Sequence, residues 1–259
     1  MPTSNANPYT GLLFSMGDIL REIQYMRDLC RPFIDRTSFE NIIPAWKKSL
    51  EGLRSAAPGQ KLSWEIPRDR PIRTIESNGD YQLDGQGEYS VIGELACMWE
   101  IGNITNWRES GMSCSSGFLL DGIASSVVSI VNINGDPEKQ TIARWTIDVG
   151  SNNSPGCHFH NHVKGGSGDR HFPTGLDIPR FPTYLITPMD ALDFLLGEIF
   201  QNRWVEHVTK HSAGSGWPSL QKKRFKKSLE WHNNVLDDMG AGSPWTALKS
   251  SRPAKHALL

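Results

Sequence analysis

The stretch that decides the fold is Ala143–Val149 (ARWTIDV), in which apolar and polar side chains alternate strictly. Successive side chains of a β-strand point to opposite faces, so this alternation predicts a strand with one buried and one polar face. The turn-forming segment 151–156 (SNNSPG) follows and leads into a second β-like stretch, Cys157–Val163 (CHFHNHV). Two strands joined by so short a turn are expected to pair antiparallel.

The same period of two extends towards the N-terminus. Residues 89–101 alternate as a long half-buried strand, and residues 118–133 form another β candidate, with a bend expected at Gly122. The segment 134–137 (NGDP) is a strong turn signal that joins this candidate to Ala143–Val149. The middle third of the chain therefore predicts an antiparallel meander.

The N-terminal third has helical periodicity. Its first predicted helix buries one face and ends at Pro32, and a second predicted helix begins at Pro44, because proline is favoured in the first turn. The apolar positions of the first face are Ile19, Ile23, Met26 and Cys30, and those of the second are Ile43, Trp46, Leu50 and Leu53.

The C-terminal third also predicts two helices. Thr187, Pro188 and Asp190 form a capping-box signature at the start of the first helix. The second runs from about 218 to 239 and ends at Gly240. The predicted buried positions are Leu192, Leu195, Leu196, Ile199 and Phe200 in the first helix, and Phe225, Leu229 and Leu236 in the second.

These elements predict an α+β fold with a central antiparallel β-sheet, as a meander or partly closed barrel, flanked by N-terminal and C-terminal helices. We expect residues 1–259 to form a single domain. Within it, residues 12–57 are predicted to be helical, 62–187 to form the antiparallel sheet, 188–239 to be helical, and 240–259 to be a loose tail.

Composition narrows the class of protein. The chain has 259 residues, 38% of them apolar, and a net charge of −1, which gives no overall attraction to nucleic acid or anionic membranes. The sequence shows no signal peptide or membrane span, so we expect a soluble, cytoplasmic protein. Four well-separated cysteines are predicted to be free thiols: Cys30, Cys97, Cys114 and Cys157.

The histidines of Cys157–Val163 are the main candidates for chemistry. His158, His160 and His162 share one strand face, and a His-x-His pair, roughly 7 Å apart at the backbone, can chelate a divalent transition metal such as zinc. His158 and His162 are about 13 Å apart on a regular strand, so all three are not expected on one ion. The predicted metal ligands are His158, His160 and His171, with Asp148, Asp169 and Asp177 as alternatives for the third. The competing interpretation is a wet, polar strand face.

Arg180 is the second candidate binding residue. It lies in segment 177–183 (DIPRFPT), whose two prolines stiffen the chain, at the end of a predicted loop, 164–183. An arginine held in this way can clamp a carboxylate or phosphate, or it can form a structural salt bridge. The candidate ligand-binding residues are therefore His158, His160, His162 and Arg180.

Two functions remain open. The first is a soluble binding or accessory module that holds a small, polar, anionic ligand or a protein partner at the histidine-rich strand face. The alternative is a metal-dependent hydrolase or lyase that uses the His-x-His site. No nucleotide-binding loop or serine-hydrolase motif is present. The basic run Lys222–Lys227 is predicted to face solvent, so nucleic acid is disfavoured as a partner. His207 and His211 are expected to be ordinary helix-end histidines.

Overall fold

The computed structural model of the chain describes residues 12–57, 60–81, 89–109, 112–133, 140–149, 159–165, 180–211, 216–240 and 242–250. At some strand positions, among them 164 and 180, the description is of the backbone. The helices are α1 (Met16–Cys30), α2 (Ile43–Gly52), α3 (Pro188–Lys210), α4 (Gly216–Asp237) and α5 (Pro244–Ser250), with a π-helical turn at Ser38–Ile42 and a 3-10 turn at Leu53–Ser55. The strands are β1 (Leu13–Ser15), β2 (Lys61–Ile66), β3 (Ile72–Arg73), β4 (Ser77–Asn78), β5 (Ser90–Glu109), β6 (Met112–Asn132), β7 (Gln140–Val149), β8 (Phe159–Gly165) and β9 (Arg180–Pro182).

The strands form one antiparallel sheet in the order β2-β5-β6-β7-β8-β9. The short strand β1 pairs with β6, and β3 and β4 both pair with β5. Strands β5 to β9 follow one another in chain order, and the described strands do not close into a barrel. The predicted α+β fold with a central antiparallel meander is confirmed.

The helices cover one face of this sheet. Leu95, Val128 and Ile147 lie on that face and are almost completely buried. On the same face, the ring of Phe159 on β8 packs edge-on against Trp231 of α4, with ring centroids 5.5 Å apart. Because neighbouring residues of a strand point to opposite faces, Phe159 in the core places His160 on the face away from the helices.

The helix predictions are mostly confirmed. The predicted apolar faces of α1 and α2 are buried, as is the predicted stripe of α3. Thr187 caps α3 in a complete capping box with Asp190. Gln201 interrupts α3 with a φ of 40°, and its side-chain amide donates to the carbonyl oxygen of Tyr81 at 2.8 Å.

The predicted inner face of α4 was wrong. Phe225 is 46% exposed, whereas its neighbour Arg224 is 5% exposed. The residues that α4 buries are Trp217, Arg224, Ser228, Trp231 and His232. The helix is therefore rotated from the predicted orientation, because carboxylates of other helices hold Arg224 inside. Lys222, Lys223 and Lys226 of the basic run are exposed as predicted, whereas Lys227 is half-buried.

Two segments expected to be irregular contain secondary structure. Strand β9 lies within the predicted loop 164–183, and its register pairs Arg180 with His162. Helix α5 lies within the segment 240–259, which was expected to be a loose tail. The single-domain assignment of residues 1–259 stays a prediction. None of the described helices is both long and apolar enough to cross a lipid bilayer.

Candidate metal centre

Two of the predicted site residues come together on β8, and a third comes from β7. The register of β7 and β8 places Asp148 directly opposite His160 and Thr146 opposite His162. Directly opposed residues of an antiparallel pair lie on the same face, so the two imidazoles and the carboxylate share one side of the sheet. Asp148 was one of the alternatives for the third ligand. His158 and His171 lie outside the described residues, as do Asp169 and Asp177.

The three side chains are close enough to share an ion. Nε2 of His162 lies 3.3 Å from Oδ2 of Asp148, and Nε2 of His160 lies 3.9 Å from the same oxygen. The two imidazole rings meet edge to face, with centroids 5.0 Å apart. One ligand atom from each residue lies within 4.8 Å of the other two, and this is the one such group among the described residues.

These distances fit coordination by a transition metal. Two ligand atoms bound to zinc at about 2.0–2.1 Å in tetrahedral geometry are about 3.3 Å apart. The His162–Asp148 distance matches this separation. The His160–Asp148 distance of 3.9 Å would have to shorten by about 0.6 Å to match it.

The site is buried, but its carboxylate reaches solvent. His160 and His162 are 3% and 7% exposed, so the interpretation of a wet, polar strand face is wrong for these two positions. The Asp148 side chain keeps 24% of its surface accessible. A solvated ion can therefore approach from the Asp148 side, while the imidazoles form the inner wall.

One buried polar atom of this group, Nδ1 of His162, has no hydrogen-bond partner in the described part of the chain. Such atoms are rare in folded proteins, because leaving a buried polar group unpaired costs about 1–3 kcal/mol. A metal-bound imidazole usually donates from its second nitrogen to an acceptor. The described residues alone therefore do not satisfy the polar groups of the site.

The remaining candidates from the sequence have structural roles where the structure describes them. Nε2 of His207 lies 2.9 Å from the carbonyl oxygen of Leu29, which ties α3 to the end of α1. Cys30 and Cys97 are free and buried, as predicted, and burial raises the pKa of Cys97 to about 12. The side chains of Cys114 and Cys157 are outside the description.

A second buried charge cluster was missed by sequence reasoning. The Arg224 guanidinium contacts Glu22 of α1, and its Nη1 lies 3.3 Å from Oδ1 of Asp190 on α3. Burial raises the pKa of Asp190 to about 6, although backbone N–H groups of Thr187 and Ile186 donate to it. The available signal was the helical spacing of Arg224 with Trp217 and Trp231.

A cleft of about 710 Å³ lies beside this cluster, between α3 and α4. Its walls are largely apolar and include Trp204 and the exposed Phe225. Asp193 lines it and accepts a hydrogen bond from Nε1 of Trp204 at 2.8 Å. The contacts of Arg224 with Glu22 and Asp190 join α4 to α1 and α3 beside this cleft.

Comparisons with protein-family models, with curated protein sequences and with solved structures gave no significant match. The interpretation of the site therefore rests on its own geometry.

Proposed function

We propose that this protein is a binding protein that holds a polar, anionic ligand through a divalent transition metal ion, such as zinc, at Asp148, His160 and His162. The observation that carries the proposal is the convergence of one carboxylate oxygen and two imidazole nitrogens within 4.8 Å on paired strands. Two imidazoles and a carboxylate are donors that zinc and its neighbours prefer.

The three ligands that the described residues provide leave a coordination position open. Closed structural zinc sites use four protein ligands, whereas sites with three retain a position for water or an exchangeable ligand. The accessible edge of Asp148 supports such a position on the solvent side. An anion bound at this position is attracted directly to the metal ion. One site can therefore account for both the predicted anion binding and the predicted metal binding.

The test is a zinc titration of the chelator-stripped protein by isothermal calorimetry. We expect about one equivalent to bind, with affinity reduced at least tenfold in each of His160→Gln, His162→Gln and Asp148→Asn, because each removes one ligand. His211→Gln is the matched control, since it removes a histidine at the end of α3 and should leave zinc affinity unchanged. No zinc uptake by the wild type, or equal loss in the control, would contradict the proposal.

The three-ligand count also favours a second candidate, a metal-dependent hydrolase. Water in the open position of a zinc site can have its pKa lowered to about 7 and become a nucleophile. Zinc-loaded protein should then release nitrophenolate from 4-nitrophenyl acetate, and Asp148→Asn should abolish that release. Release that persists after chelation would exclude this role for the site.

A further inference from the structure

The strand register brings three cationic positions to the face that carries the candidate metal centre. Arg144 on β7 is opposite Lys164 on β8, and Arg180 on β9 is opposite His162. Alternate residues of a strand share a face, as do directly paired residues of neighbouring strands. Position 180 is therefore directly opposite His162, position 164 is two residues along the same strand, and position 144 is diagonal to His162 on β7, all on the same side of the sheet.

Cations outnumber carboxylates among the paired positions around His162. The β6 residues opposite this part of β7 are neutral, namely Ser125, Val127 and Ser129. Asp148 is the one carboxylate among these paired positions of β6 to β9, and Glu94 of β5, opposite Ser129, already forms an ion pair with Arg73 at 2.9 Å. Arg144 is exposed, and its Nε lies 3.4 Å from the neutral hydroxyl oxygen of Ser129. With a divalent ion at the site, these paired positions carry more positive than negative charge.

We propose that the ligand of the metal centre is the phosphate group of a phosphate monoester, attracted by the ion and by the cationic character that Arg144 and the register positions of Lys164 and Arg180 give to this face. This inference rests on the proposed function and adds the chemical class of the ligand. A tetrahedral dianion can place one oxygen on the metal ion and direct the others towards cations on different sides. Guanidinium groups match phosphate oxygens in a bidentate geometry, and lysine adds a point charge. A carboxylate has one charge and two oxygens, and a sulfate monoester has a single charge, so both match this face less well.

The experiment uses zinc-loaded full-length protein and three probes of matched shape: phenyl phosphate, phenyl sulfate and benzoate. Isothermal calorimetry measures the affinity of each probe for the wild type and for a variant with Arg144→Gln, Lys164→Gln and Arg180→Gln. The control variant carries Lys48→Gln, Arg54→Gln and Lys226→Gln, three exposed cations elsewhere, and so has the same change in net charge. Zinc affinity is measured for all three proteins.

We expect phenyl phosphate to bind the wild type at least tenfold more tightly than either other probe. The site variant should weaken phenyl phosphate binding about 100-fold, since a charge-assisted contact contributes roughly tenfold in affinity and the three are not fully additive. Zinc affinity should stay within about threefold in the site variant, and the control variant should bind phenyl phosphate like the wild type.

Two results would overturn the inference while leaving the metal centre intact. One is equal affinity of zinc-loaded wild type for the three probes, and the other is unchanged phenyl phosphate binding in the site variant. Equal weakening in the control variant would also overturn it, because net charge alone would then explain the effect. A wild type that fails to bind zinc at all would instead overturn the proposed function, together with this inference.

Discussion

At the scale of single residues, Asp190 has two conflicting roles. Its Oδ2 accepts the backbone N–H groups of Ile186 and Thr187 at 3.1 and 2.9 Å, which fixes the start of α3. The same carboxyl group is buried and shares the Arg224 guanidinium with Glu22. One guanidinium therefore faces two carboxylates, and burial disfavours the charged form of Asp190.

This conflict predicts a pH dependence of stability. Because the folded-state pKa of Asp190 is raised to about 6 from an ordinary value near 4, the folded state holds this proton more tightly than the unfolded state. The resulting stabilisation is fully present below about pH 4 and is lost as the pH rises through 6, a change of about 3 kcal/mol.

Urea denaturation at pH 4, 5, 6 and 7 measures the effect as a difference between the wild type and Asp190→Asn. The wild type should lose stability relative to the variant as the pH rises from 4 to 6, and the difference should level off above 6. Asp237→Asn, which changes an exposed carboxylate on α4, is the control and should follow the wild type. A wild-type advantage that grows with pH would show that Asp190 is ionised more readily in the folded state.

At the scale of elements, α3 packs closely against the sheet at Gly93 of β5. A Cβ atom built at this position would lie 2.9 Å from three atoms of the Leu195 side chain, which is shorter than any normal carbon–carbon contact. Glycine therefore lets α3 pack directly on the strand. Gly102, in the same strand, has no atom within 4 Å of its Cβ position and offers a matched comparison.

Gly93→Ala should lower the free energy of unfolding by about 1–3 kcal/mol through overpacking against Leu195. Gly102→Ala should change it by no more than about 0.5 kcal/mol. In a Leu195→Ala background the added cost of Gly93→Ala should largely disappear, because the clashing atoms are gone. Urea denaturation of the four proteins measures this, and equal costs for Gly93→Ala in both backgrounds would contradict the proposed contact.

The sequence predicted those elements whose residue pattern depends only on neighbouring residues in the chain. Alternation predicted β7 and β8, and a capping box predicted the start of α3, because each pattern reflects one local geometry. The α4 prediction failed because it placed Phe225 inside and left Arg224 on the solvent side. The partners that bury Arg224 are Glu22 and Asp190, which lie 202 and 34 residues away, and no local pattern contains them.

For the candidate site, too, the sequence predicted the local arrangement but not the contacts between strands. The two-residue spacing of His160 and His162 placed them on one face, but their third partner depended on the register between strands. Asp148 was therefore one of several alternatives until the pairing of Asp148 with His160 was known. The position of Arg180 opposite His162 likewise follows from strand pairing, which was not expected in a segment with two prolines.

At the scale of the whole molecule, the sheet separates two environments. Its helix-covered face holds the apolar core, including Leu95, Val128 and Phe159, and so carries the stability of the fold. Its other face carries Asp148, His160 and His162, which come from paired strands and are therefore held on a rigid scaffold. Ligands placed on regular strands keep their mutual geometry, as a metal centre requires.

The most direct test of the metal centre is anomalous diffraction from crystals of the zinc-loaded protein, with data collected on both sides of the zinc absorption edge. We predict one strong anomalous peak between Oδ2 of Asp148 and the Nε2 atoms of His160 and His162, at about 2.0–2.2 Å from each. The peak should be absent from crystals of a His160→Gln/His162→Gln variant prepared in the same way. A zinc-loaded protein whose anomalous peak lies elsewhere, with these three side chains unliganded, would contradict the proposed centre.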